Sequence, residues 1–330
     1  MLNAHVFSYN LLVNIMLKKR AIRKIVITSL SLLIVMIIYL LAGNNKVKVY
    51  DDFYYINNED KMSIYTLTDN NYVAKAMVYL DNNKNILERI KDILNIMIIG
   101  NSSNALLPEY FNPVIPNDTK ILSVKIKDNI LYINFSKEFL NIDKDVSRSV
   151  IESLVYTLTN FKEIEGIKIE VDGKTLNYIP NTDEKIGSVL TKDFGINKVY
   201  DITSNEDIVK TIIYYAYKDG YFIPVTKYSN SKKKSIEIII DELSEKYSYS
   251  DELKSYLNSG LKLLNYKITD NKITLVVNEK IYDDMNLKSV NDKAIKSIIY
   301  SIFDSYDVDV ISIFYKDNKI LEKARKDIEI

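Results

Sequence analysis

Residues 122–135 read LSVKIKDNILYINF. Leu122, Val124 and Ile126 alternate with polar residues, and so do Leu131, Ile133 and Phe135. Period-two alternation marks a strand with one buried face, and Asp128-Asn129 between the two runs supplies turn chemistry. A hairpin is therefore predicted here. Its core recurs: Lys125-Ile126-Lys127-Asp128-Asn129 is echoed by Lys267-Ile268-Thr269-Asp270-Asn271.

Other matches run in the same order on both sides of this hairpin. Lys48-Val49-Tyr50-Asp51 corresponds to Lys198-Val199-Tyr200-Asp201, and Asn58-Glu59-Asp60 to Asn205-Glu206-Asp207. Lys61, Ile64, Tyr65 and Tyr72 correspond to Lys210, Ile213, Tyr214 and Tyr221. Further on, Ile151, Leu154, Val155 and Leu158 correspond to Ile295, Ile298, Ile299 and Ile302. Spacings that drift by a few residues while the order holds indicate duplication followed by loop insertions and deletions.

One copy is predicted as hairpin, helix, hairpin, helix, strand. Ser63–Thr68 and Tyr72–Leu80 read as strands about the turn Asp69-Asn70-Asn71, whose counterpart is Lys218-Asp219-Gly220. Ile86, Ile90, Ile93, Leu94 and Met97 recur at helical spacing, which predicts a helix from Asn85 to about Ile99, ended by Gly100. A loop with Pro108, Pro113 and Pro116 follows. Asp145 is placed as the cap of a helix over Val146–Asn160, and Ile167, Ile169 and Val171 form the last strand. The second copy supplies Ile273, Leu275 and Val277, a helix over Asn286–Phe303, and a strand over Val308–Tyr315. The expected class is α+β: two tandem small sandwiches, each with its helices on one face of a mainly antiparallel sheet. The expected division is a tail (1–24), an anchor (25–42), a first module (46–180), a linker (181–197) and a second module (198–330).

The anchor rests on Ile25–Ala42, which carries no charge. A helix of this length comes to about 27 Å, close to the hydrocarbon thickness of a bilayer. Lys18, Lys19, Arg20, Arg23 and Lys24 precede it. The positive-inside rule then places the tail in the cytoplasm and the modules outside. A cleaved signal peptide is the rival, but Leu40 or Leu41 would stand where cleavage wants a small residue. Leu41-Ala42-Gly43-Asn44 resembles a bacterial lipobox with Asn44 in place of the lipid-bearing cysteine. Met16 is the expected start.

Composition limits the chemistry. Of 330 residues, 47% are hydrophobic, and 44 Lys and Arg balance 44 Asp and Glu. Such balance gives no field to steer nucleic acid. There is no cysteine, and the one histidine is His5, ahead of the anchor. Thiolate chemistry and the commonest general base and metal ligand are thus absent from the modules. Asp51-Asp52, Asp143 with Asp145, and Asp283-Asp284 lack calcium-loop spacing and read as solvated loop acids. Ser136-Lys137 could suggest a nucleophile pair, but neighbours on a strand point to opposite faces. Lys232-Lys233-Lys234 reads as a solvated helix start. No residue is singled out as catalytic, cofactor-binding or metal-ligating, and no cofactor is expected.

Residues Ile130-Leu131-Tyr132-Ile133-Asn134-Phe135-Ser136-Lys137-Glu138-Phe139 resemble the strand motif of the GerMN-domain family. Ser153 to Phe161, Ile164, Ile167 and Val171-Asp172-Gly173 continue the pattern over about residues 72–180. The second copy departs, with Val277-Asn278-Glu279-Lys280 standing for Phe135-Ser136-Lys137-Glu138. The resemblance implies a role in sporulation or spore germination of endospore-forming bacteria, and a fold similar to the ring-building motifs of the channel between mother cell and forespore. It brings no catalytic residues. A non-enzymatic scaffold is therefore expected, one that binds envelope or sporulation-channel proteins and associates with itself in a ring. The alternatives are a carboxylate-dependent wall hydrolase and a wall-glycan binder.

Overall fold

The computed structural model describes residues 18–19, 22–24, 26–34, 36, 61–81, 83–245, 250–286 and 288–328. Met16, Leu41 to Asn44 and Asp51-Asp52 lie outside them, as does much of the predicted anchor. The chain divides into two compact units, Met1–Ile56 and Asn57–Ile330. In the first, residues 26–34 are helical, with Val26, Ile27, Leu30, Leu32 and Leu33 exposed. Among the described residues no helix is long and apolar enough to cross a membrane.

The second unit begins with the antiparallel pair β1 (Lys61–Thr68) and β2 (Val73–Tyr79), and the short β3 (Phe111–Asn112) joins the other edge of β1. Helix α1 (Ile86–Met97) follows β2. The Asn85 side chain accepts from the Glu88 N–H at 3.0 Å, and the Glu88 carboxylate accepts from the Asn85 N–H at 3.2 Å. These bonds satisfy two of the four amides that a helix start leaves open.

A separate four-stranded sheet has the order β4-β5-β6-β7, with β4 (Ile121–Lys127), β5 (Ile130–Phe135), β6 (Gly166–Val171) and β7 (Lys174–Thr175). Strands β5 and β6 are parallel. Helix α2 (Ser147–Leu158) connects them, and a helical crossover returns the chain in the same direction. Each copy thus holds two sheets, and the larger has a parallel centre. This corrects the expected single sheet, while the pairings are mainly antiparallel as expected, with β5–β6 the parallel exception.

The second copy repeats the plan. Strands β9 (Ile208–Ala216) and β10 (Phe222–Asn230) match β1 and β2, and α3 (Ser235–Ser244) matches α1. The sheet of β11 (Leu263–Thr269), β12 (Lys272–Val277), β13 (Val310–Tyr315) and β14 (Asn318–Ala324) again has one central parallel pair, β12 with β13. Helix α4 (Asp292–Ser305) matches α2. Even an irregularity recurs: the register slips between Ile121 and Ser123 in β4, and between Leu263 and Asn265 in β11. Outside the shared plan, β8 (Val199–Asp201) runs parallel to β10.

Two helix starts differ from expectation. Asp145 caps nothing: its N–H donates to Asp143 Oδ1, and α2 starts at Ser147 without a side-chain cap. Ser147 Oγ donates instead to the Pro180 carbonyl at 2.6 Å. Helix α4 starts later than Asn286, because Asp284 and Ser289 form a bridge with turn residues 285, 286 and 288 between them. Asn291 is its cap, accepting from the Lys293 and Ala294 amides.

The segment 181–197 is packed against the body. Ile186, Leu190 and Ile196 are buried, and Leu190 exchanges two 2.8 Å backbone bonds with Ile167. A Cβ on Gly166 would meet Val189 Cγ1 at 2.9 Å and the Leu190 carbonyl at 3.1 Å. A bare Cα therefore lets the segment cross β6. At the corresponding position of the second copy stands Val310, whose neighbour on that side is Ala324 of β14.

Candidate functional site

The two copies meet through equivalent residues. The buried N–H of Tyr65 in β1 donates to Thr157 Oγ1 of α2 at 2.7 Å, and Thr157 returns a bond to the Tyr65 carbonyl. In the second copy the N–H of Tyr214 donates to Ser301 Oγ of α4 at 2.8 Å. A helix hydroxyl thus satisfies a strand amide that faces no other strand. Each of these tyrosines packs edge-on against a helix tyrosine: Tyr65 on Tyr156 at 5.5 Å, and Tyr214 on Tyr300 at 5.7 Å.

The phenols of Tyr65 and Tyr214 lie within electrostatic reach of each other across the junction. Tyr214 also donates to Asp304 Oδ2 at 3.2 Å. Burial pushes the Asp304 carboxyl up, against the pull of Lys192, the Tyr214 bond, Arg325 and Lys210. Desolvation raises the phenol pKa values of Tyr65, Tyr156 and Tyr214 as well. These phenols stay neutral donors, which suits structure and leaves no general base among them.

Asn197 clamps the junction. Its Oδ1 accepts from the Val73 N–H at 2.9 Å, and its Nδ2 donates to the Val73 and Pro224 carbonyls, each at 2.7 Å. One amide thereby ties β2 to β10. Its φ of 46° lies in the left-handed region, which asparagine enters more readily than most residues. Beside it the Asn197 N–H donates to the Glu152 carboxylate at 2.8 Å, and Lys198 Nζ stands 3.9 Å from Glu152 Oε1. Both side chains are almost wholly buried. Desolvation pushes Glu152 up to about 7, although Asn197, Lys198 and Arg148 favour its charged form. Desolvation likewise lowers the Lys198 ammonium.

The residues weighed in sequence occupy separate places. The Asp143 carboxylate accepts from Asp145, and Asp284 Oδ1 accepts from the Asn286 N–H, so each organises its own turn. Among the described residues no group of three or more His, Asp or Glu could hold a metal ion. Ser136 Oγ accepts from the Lys120 N–H at 2.9 Å. Lys232 and Lys233 pair with Asp207 and Asp241, and the Lys234 N–H donates to Glu237. Sequence reasoning missed Glu152, Asn197, Lys198 and Asp304. The signal for Glu152 was a carboxylate flanked by the buried stripe of α2.

The order of elements and the paired junction bear directly on relationship. Residues 52–177 match the Germane family, described as sporulation and spore germination. The tandem GerMN domains of the sporulation protein GerM from Bacillus subtilis superpose with a TM-score of 0.71. That match is 26% identical and covers 79% of this chain and 92% of the other. The first copy thus carries the family's domain, and the two copies together resemble GerM's tandem pair. The spore germination protein GerM of Bacillus subtilis (strain 168) is 28% identical over 275 residues, 80% of this chain and 74% of the relative. The repeat read in the sequence thus resembles a tandem pair of GerMN domains, and the tyrosine junction joins one copy to the other.

Proposed function

We propose that this GerMN-family protein is a membrane-tethered, extracytoplasmic scaffold that acts in sporulation or germination by binding other proteins, and that it catalyses no reaction. Residues 1–24 form the cytoplasmic tail, 25–42 the anchor, 46–180 and 198–330 the two modules, and 181–197 the connection. The modules lie in the space between the two membranes of a sporulating cell. Envelope or sporulation-channel proteins are the partners, and self-association into a ring is one form the assembly takes.

The observation that carries this reading is the tandem pair itself, likened over 79% of the chain to a sporulation protein's tandem domains. The anchor is supported by the charge-free stretch 25–42 behind five basic residues, and by apolar helical side chains over 26–34 that face outward. A scaffold is supported by titratable groups spent on joining the modules. The test is in-cell crosslinking during sporulation, with sedimentation of the purified chain. Crosslinks to envelope proteins are expected. A chain that stays monomeric at high concentration and crosslinks to nothing defeats the proposal.

A further inference from the structure

Next to the tyrosine junction the two modules leave a groove of about 730 Å³. Lys61, Lys75, Arg89 and Lys162 of the first module line it, with Lys192 from the connection and Arg325 near the C-terminus. Among the described residues the carboxylates that line it are Glu163 and Asp304. Asp304 is half-buried and accepts from Tyr214 at 3.2 Å, so one of its oxygens is already engaged.

The guanidinium groups are held in place without carboxylates. Arg89 lies over the Phe161 ring at 5.6 Å, with Nη2 3.7 Å from the Met62 sulfur, and its buried Nε has no acceptor. Arg325 is fixed by bonds from Nε to the Val308 carbonyl and from Nη2 to the Tyr306 carbonyl. Among the described residues Arg89, Lys162, Lys192 and Arg325 make no ion pair. A fixed guanidinium with open donors is a receptor for a planar anion. The groove also exposes apolar wall from Met62, Phe161 and Ile328.

We infer that this inter-module groove receives an acidic segment of a partner protein, with carboxylates on the arginines and lysines and an aliphatic or aromatic side chain against Met62 and Phe161. Recognition of acidic motifs by arginine clusters is a recurring mode of peptide binding. A phosphate polymer would meet the charge but leave the apolar wall uncovered. The inference rests on the scaffold reading, and it makes the groove dependent on both modules being docked.

The test uses the full-length chain in sporulating cells. A photo-crosslinker is placed by Lys162→p-benzoylphenylalanine in the groove, and by Lys267→p-benzoylphenylalanine on β11 as a control. The Lys162 adduct is expected to contain a partner segment in which Asp or Glu flank an apolar residue. Its yield should fall about tenfold when Arg89→Gln and Lys192→Gln are combined, the loss of two charge-assisted contacts. Lys192→Glu alone, at an exposed position, guards against misfolding of the Arg89 variant, and thermal midpoints verify the fold. A neutral or basic segment, a non-protein adduct, or an undiminished yield overturns the inference. So do protein adducts at Lys267 with none at Lys162, which leave the scaffold reading standing. No protein adduct at either position, with none from the chemical crosslinking above, defeats the scaffold reading and this inference together.

Discussion

Asn197 shows how much one side chain carries. It makes three bonds across the junction, and its backbone sits at positive φ. Asn197→Ala removes the bonds, strands the amide of Val73 and adds left-handed strain. A loss of about 3 kcal/mol is expected by chemical denaturation, with orphaned backbone groups the larger part. Glu152 gives a pH test. Its folded pKa of about 7 lies above the ordinary carboxylate value. The folded state therefore holds a proton that the unfolded chain releases, and stability from this group is full below about 4.5 and lost as pH rises through 7. The span is roughly 3 kcal/mol. Wild type should show a thermal midpoint that falls from pH 5 to 8, and Glu152→Gln should flatten the slope. Asp304, also raised, acts in the same direction. Asp304→Asn should cost little, since Asn160 holds the corresponding place in the first copy.

At the scale of elements, the strands and helices were legible because their apolar periods are clean. The hairpin of β4 and β5 and its copy in β11 and β12 were readable from alternation and an Asp-Asn turn. The stripe of α2 was read correctly, but its other face was not. Glu152, Ser153, Tyr156 and Thr157 are buried too: the connection bonds to Glu152 and Tyr156, and β1 packs on Tyr156 and bonds to Thr157. Periodicity reports one buried face and is silent about a second contact that arrives from residues forty or more away. The parallel pairing of β5 with β6 was missed for a similar reason: alternation says which face is buried and nothing about the neighbour. Gly166 offers a test at this scale. Gly166→Ala puts a methyl into Val189 and the Leu190 carbonyl, so the crossing segment must shift. A destabilisation of about 1–3 kcal/mol is expected in a denaturant titration. Val310→Ala, at the equivalent position where β13 already accommodates a side chain beside β14, should cost no more than about 1.5 kcal/mol.

At the scale of the molecule, the two GerMN copies form one compact unit with a shared core over residues 57–330. Tyr65, Tyr214, Asn197 and Glu152 tie them together. Calorimetry should therefore record a single cooperative transition in the wild type. Asn197→Ala should split or broaden it, because the copies then unfold with less coupling. Two separate transitions in the wild type would contradict a docked pair. The groove at the junction exists only while the docking holds, which links stability to the proposed binding.

What the sequence determined by itself was the duplication, the two helices and five main strands of each copy, and the absence of histidine and cysteine chemistry from the modules. These follow from local period and residue type, which a linear reading records. Tertiary structure alone decided that the copies pack equivalent tyrosines against each other, that residues 181–197 are packed, and that a carboxylate and an ammonium are buried at the seam. Those facts depend on which surfaces meet, and no neighbour in the chain encodes the burial that a distant segment imposes.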